Sequence, residues 1–210
     1  VYDILDPLLQ GKKPVTLLDE IFKAEALQFP TGSLRLRVNT NHDKNAWDAP
    51  AVLKFGRDGL ALSAVLCATL PGIPLLYSGE EVANDRTLSL FEKVAVDWNR
   101  PREMETLYTT LFRLRREHRA LSRGDWKRVP TSRDERIFAF LRTEGSDRAL
   151  CVLNFSADSL SASLELPAGD WRNALLLRDA FSGSLLRVRR GTPVDVVLPP
   201  RAYRVYFPVR

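Results

Sequence analysis

The chain has 210 residues, 45% of them hydrophobic and 27% charged, a balance that supports a packed core and excludes disorder, collagen and coiled coil. Its net charge is +5 but unevenly placed: residues 1–100 carry 11 basic and 13 acidic side chains, residues 101–210 carry 20 and 13. The excess arginines are scattered through amphipathic segments without interleaved aromatics, which argues for a solvated surface and against nucleic acid, and no apolar run reaches the roughly 18–20 residues that cross a bilayer.

In chain order, Thr16 to Leu27 places Leu17, Ile21, Ala24 and Leu27 on one predicted helical face, with Thr16 or Asp19 near its start. Leu34-Arg35-Leu36-Arg37-Val38 alternates as a strand does. Arg57-Asp58-Gly59 leads into an apolar helix through Leu60, Ala64, Cys67 and Leu70, closed by Pro71-Gly72, and Ile73 to Tyr77 reads as a buried strand. From Glu103 to His118, Leu107, Leu111 and Leu114 recur at helical spacing, and His118 reads as a surface residue. Helices and strands in alternation predict a parallel α/β sheet.

After Gly124 the grammar changes. Ile137 to Leu141, Ala149 to Phe155, Leu160 to Leu166, Trp171 to Leu177, Leu185 to Val188, Val194 to Leu198 and Tyr203 to Phe207 read as strands. They are separated by turn formers such as Glu144-Gly145-Ser146-Asp147, Pro167 to Asp170, Ser182-Gly183 and Arg190-Gly191-Thr192, which predicts an antiparallel sandwich. The domain boundary is expected between residues 123 and 124, with Gly124-Asp125-Trp126 as a plain junction. Cys67 and Cys151 each fall inside an apolar element, so both are expected to be buried thiols without a disulfide or a zinc site. That leaves a cytoplasmic location open; the compartment is otherwise undetermined.

Asn41-His42-Asp43 stands just past the carboxyl end of a predicted strand, the edge where ligand sites gather in parallel α/β proteins. A His beside a carboxylate can hydrogen-bond a polyol while the carboxylate stabilises developing positive charge. The same triplet also reads as a polar turn, and the residues alone leave both readings open. Ser78-Gly79-Glu80-Glu81 after the next strand offers paired carboxylates, one expected to be structural and the other solvated. Trp47 and Trp98 are candidate sugar-stacking platforms as well as candidate packing residues.

Asn41-His42-Asp43, then Leu70-Pro71-Gly72-Ile73-Pro74-Leu75-Leu76-Tyr77-Ser78-Gly79-Glu80-Glu81, Phe91-Glu92-Lys93 with Asp97-Trp98, Leu114 to Leu121 and Val152-Leu153-Asn154-Phe155-Ser156 together resemble the last part of the α-amylase superfamily of glycoside hydrolases. The resemblance covers the chain from about Tyr2 to Phe207; the triplet alone is a weak signal, the ordered set a strong one. It implies an α/β plus all-β chain: the last βα units of a (β/α)₈ TIM barrel over residues 1–123, then an antiparallel β-sandwich domain over 124–210. Val1-Tyr2-Asp3 would end the sixth barrel strand. Asp43 would be the catalytic carboxylate that stabilises the transition state, and His42 would bind the sugar at which reaction occurs.

In that family the nucleophile and the acid/base sit on earlier strands. The chain opens without a methionine, so a processed or truncated piece is expected, inert by itself, whose parent acts on α-glucan or oligosaccharide substrates. Its expected partners are the missing amino-terminal barrel segment or a second copy of itself; neither nucleic acid nor a membrane is expected. Calcium is frequent in the family, but its usual ligands also lie earlier, so no cofactor or metal is assigned here. Where many relatives carry an arginine shortly after the triplet, Lys44-Asn45-Ala46-Trp47 follows, which puts substrate contacts beyond the reacting glucose in doubt. Two other readings stand beside the leading one: a non-catalytic carbohydrate-binding or interaction module derived from that family, and a freestanding enzyme pairing Asp43 with Glu80 or Glu81.

Overall fold

A computed structural model describes residues 2–167 and 175–209. The first element of the described residues is a helix, α1 (Tyr2–Leu9), where a strand end was expected. Leu5, Leu8 and Leu9 recur at helical spacing and are buried, and that periodicity decides the local structure despite Pro7.

Helix α2 (Leu17–Gln28) follows, but its inward face is not the predicted one. Leu18 is fully buried and Phe22 packs in a tilted arrangement on Trp126, ring centroids 4.7 Å apart, while Leu27 is 91% exposed. Packing against that tryptophan, far along the chain, sets the helix rotation. Strand β1 (Leu36–Val38) runs parallel to β2 (Ile73–Leu75), with Arg37 opposite Pro74.

Between these strands lie the short helix α3 (His42–Trp47) and the long α4 (Ala51–Thr69). The sequence signal placed the start of α4 near Leu60. Non-helical backbone at Gly56 (φ 67, ψ 175) divides this stretch in two, so the helix read through Leu60 starts just after it as expected, and a short helical segment from Ala51, which the sequence signal did not include, precedes it. A 3₁₀ turn (Glu80–Val82) follows β2, and the predicted α5 (Glu103–Glu117) buries Leu107, Leu111 and Leu114 as expected. Helix α6 (Arg119–Arg123) then leads to the β region.

That region holds β3 (Asp125–Val129), β4 (Ile137–Glu144), β5 (Asp147–Asn154), β6 (Leu160–Leu164), β7 (Leu175–Asp179), β8 (Leu185–Val188), β9 (Val194–Leu198) and β10 (Tyr203–Pro208). Six strands form one antiparallel sheet in the order β3-β4-β5-β10-β7-β8, and β6 pairs with β9 in a second. The predicted strand from Trp171 begins outside the described residues, as does most of the turn before it. Asp125 and Trp126 belong to β3, so the expected plain junction is a strand whose tryptophan anchors α2.

The large sheet is covered on both faces. Ile137, Ala139, Leu141, Leu150 and Val152 pack against Ala162, Leu164, Val194, Val196 and Leu198 of the small sheet. Phe138, Phe140, Ala149, Cys151 and Leu153 face the other way and join the core of α1, α4 and α5. Burial on two faces explains why β4 is apolar without alternation. One core therefore crosses the expected boundary.

Polar groups cross it too. Arg142 of β4 is 1% exposed and donates to the carbonyls of Thr69, at the end of α4, and Gly124. Arg115 of α5 donates to the carbonyls of Ala68, Gly72 and Leu121. Two guanidinium groups thus satisfy the open carbonyls at the α4 carboxyl end and complement its negative dipole. His118, expected on the surface, is instead half-buried, stacked on Phe207 at 3.7 Å and 3.1 Å from Asp147. Among the described residues, no helix is long and apolar enough to cross a membrane.

Candidate functional site

Parallel pairing brings the carboxyl ends of β1 and β2 side by side, so the loops after them share one edge. The first loop turns at once into α3. Asn41 caps that helix, its side-chain oxygen accepting from the Lys44 amide at 2.9 Å. The turn reading of the triplet is therefore correct for Asn41, and it fixes where the other two residues go. His42 and Asp43 are the first two residues of the helix, each with a 64% exposed side chain, 3.6 Å apart.

Beneath them lies a polar layer. Asn39 is buried, donates to the Tyr108 hydroxyl at 2.9 Å and accepts from the Cys67 thiol at 3.3 Å. Glu80, 5% exposed, accepts from the Tyr77 amide at 3.0 Å. Burial drives its carboxyl up to about 8, while the Tyr77 amide, Asn39 and Tyr108 pull the other way and Glu81 adds repulsion. The network ties both strand ends to α4 and α5.

Glu80 is thus the structural member of its pair. Glu81 is half-buried and accepts from the Gly79 amide at 2.8 Å. Asp43 faces solvent beside His42 whereas Glu80 is sealed in this layer, so the arrangement does not favour a freestanding acid/base pair between them. Arg37 of β1 is buried and forms a two-pronged pair with Glu25, both contacts at 2.7 Å, and Arg35 lies over the Phe29 ring. Both predicted cysteines are buried free thiols, pushed up to about 12 by burial.

Trp47 ends α3 and is 70% exposed, with Phe91 (83% exposed) against its edge at 6.2 Å. Trp98 sits elsewhere, lining a pocket of about 360 Å³ with Glu81, Arg102, Tyr108 and Phe112. Among the described residues, no group of three or more His, Cys, Asp or Glu gathers as a metal site. Sequence reasoning missed the Asn39–Glu80–Tyr108 layer; a polar residue ending each apolar strand was the signal available.

A family model described as the maltogenic amylase C-terminal domain matches residues 128–205. Among curated proteins, the chain is 28% identical over 177 residues to the α-amylase MalA of Haloarcula japonica, covering 78% of this chain and 25% of the relative. It is 30% identical over 174 residues to an α-1,4-glucan:maltose-1-phosphate maltosyltransferase of Streptomyces coelicolor, covering 74% and 26%. Among solved structures, the noncanonic maltogenic α-amylase AmyB of Thermotoga neapolitana superposes with a TM-score of 0.85 at 21% identity, covering 100% of this chain and 49% of that one. The chain therefore spans about a quarter of the length of these curated relatives and about half of that solved chain.

Proposed function

The chain belongs to the α-amylase superfamily of glycoside hydrolases, matching its carboxyl-terminal part, and from that premise we propose that it completes the reacting centre of a retaining α-glucan hydrolase or transglycosylase. Asp43 stabilises the oxocarbenium-like transition state, and His42 hydrogen-bonds the sugar at the reacting bond. The observation that carries this reading is the exposed His42–Asp43 pair at the shared carboxyl edge of two parallel strands. Strands β1 and β2 with helices α2 to α5 are read as the last units of a (β/α)₈ barrel over residues 1–123, and residues 124–210 as its β-sandwich domain.

Retaining hydrolysis needs two carboxyl groups about 5 Å apart, one as nucleophile and one as acid/base. Asp43 is neither, and Glu80 is held in the buried layer, so both groups come from earlier strands of a longer protein. The same reading gives the partners: an α-glucan at the edge near Asp43, and the preceding barrel segment, or a second copy, against the open edges of β1 and β2. Leu36 and Ile73, partners in register and 62% and 47% exposed, leave an uncovered apolar face beside those edges.

Replacing Asp43 by Asn in the full-length protein tests the assignment. Turnover should fall by orders of magnitude with the fold intact. His42→Ala should cost less, roughly 1–3 kcal/mol or about 5–150-fold, because it removes one hydrogen bond. Small and equal losses would reduce the triplet to a helix start. The 210-residue chain alone should show no turnover of starch or maltosaccharides, and turnover that disappears with Glu80→Gln would overturn the proposal.

A further inference from the structure

Helix α3 is six residues long, too short to hold a direction by its own hydrogen bonds, yet His42 and Asp43 stand on its first turn. Side chains set its direction. Asn45, buried in the middle of α3, accepts from the Leu88 amide at 2.6 Å and ties the helix to a later loop. Asp48 closes the helix: its amide donates to the Lys44 carbonyl at 3.0 Å, and its carboxylate accepts from the ammonium of Lys54. The same ammonium pairs with Asp6 of α1. Lys54 thus joins three elements. It projects from the helical segment before Gly56, holds the end of α3, and reaches α1, whose Leu5, Leu8 and Leu9 are rooted in the core. Lys44 of α3 adds a looser link, 3.9 Å from Asp3.

Two features separate Lys54 from an ordinary surface ion pair. Its side chain is 16% exposed, so water and salt screen the pairing little. Burial alone would lower its ammonium, but the hydrogen bonds to Asp48 and Asp6 outweigh that and raise it, so the group stays charged. It also meets two carboxylates at once. Without the ammonium, Asp6 and Asp48 are left side by side as like charges, which drives the end of α3 away from α1. A helix of under two turns moves as one short rod, so a push at its last residue shifts its first turn as well. Resting on the function proposed above, we infer that Lys54 is a positioning residue for the reaction: through Asp48 and Asp6 it holds α3 at the angle that presents Asp43 and His42 to the sugar. It acts through the helix and not on the substrate.

The test is steady-state kinetics of the full-length protein on starch and maltosaccharides. Lys54→Met should lower kcat about tenfold or more and change KM by less than about threefold, since a misplaced Asp43 costs the transition state more than the bound sugar. The thermal midpoint should stay within about 3 °C of the wild type, because the ion pairs are only partly buried. Lys54→Arg keeps the charge and should recover part of kcat. Adding Asp6→Asn to Lys54→Met removes the repulsion and should also return part of it. Wild-type kcat in Lys54→Met, with Asp43→Asn still inactive, overturns the positioning role and leaves the proposed function standing. A fall in kcat that tracks a large fall in thermal midpoint, and that neither Lys54→Arg nor Asp6→Asn relieves, overturns it as plain destabilisation. Full turnover in Asp43→Asn overturns the proposed function and the role of Lys54 with it.

Discussion

The two halves of the chain treat apolar surface differently. Beyond residue 124 the exposed large hydrophobics among the described residues are Leu185, Val197 and Val209; before it they include Leu27, Leu34, Leu36, Leu53 and Ile73 as well as the aromatics near α3. Strands β3 to β10 close their own core between two sheets, whereas β1 and β2 form a sheet of two strands whose outer edges have no partner among the described residues. The halves also treat buried carboxylates differently. Asp179 accepts from the Ser182 amide at 2.9 Å, the Ser182 hydroxyl at 2.6 Å and the Val205 amide at 3.0 Å. Glu80 accepts from the Tyr77 amide, and its second oxygen makes no hydrogen bond of good geometry. Asp179 is thus satisfied by three donors, whereas Glu80, buried in the polar layer under the strand ends, keeps one oxygen without a well-placed donor.

Breaking the joint between the halves should have the largest effect. Arg142→Ala leaves the Thr69 and Gly124 carbonyls without their donor and opens a cavity in the shared core, a loss of about 3–5 kcal/mol. Calorimetry should then resolve two transitions in place of one, the β region melting last. A single transition at unchanged temperature would mean that the shared core alone couples the halves.

Glu80 sharpens the comparison through pH. Its folded carboxyl is raised to about 8, above its unfolded value, so its favourable contribution is complete below about pH 4.5 and is lost as pH rises through 8. Within that window the slope approaches, but does not exceed, about 1.4 kcal/mol per pH unit. Glu80→Gln keeps the shape and removes the charge, so the variant should gain on the wild type in thermal midpoint between pH 5 and 8. Parallel midpoint curves for the two proteins would show that the carboxyl stays ionised and hydrated.

How much of this was legible depends on the range of the deciding contacts. Helix α5 was readable because Leu107, Leu111 and Leu114 repeat locally, and the strands from Ile137 onward because turn formers frame them. The rotation of α2 was not readable, since Trp126 sets it from about a hundred residues away. Nor was the place of His118, whose stacking partner Phe207 lies at the other end of the chain. At the candidate site, the place of His42 and Asp43 just past a strand end was legible from their triplet, and their role rests on the proposal above. The layer under them was not, because Asn39, Cys67, Glu80 and Tyr108 meet only once β1, β2, α4 and α5 have assembled.

The open edge offers the smallest effect on stability and the cleanest separation of stability from association. Leu36 and Ile73 stand opposite each other in the β1–β2 register, and both are exposed. Replacing each by Thr keeps a residue with good strand propensity while removing apolar surface. Neither side chain is buried, so stability should change by no more than about 0.5 kcal/mol. Self-association should fall, because an exposed apolar strand edge offers both hydrogen-bonding groups and apolar area to another chain. Sedimentation at rising concentration should show the wild type growing heavier and the double variant staying monomeric. If both remain monomeric, the edge is protected as it stands. If both associate alike, the contact lies elsewhere, and Leu27, near the end of α2, and Leu34, two residues before β1, become the residues to change.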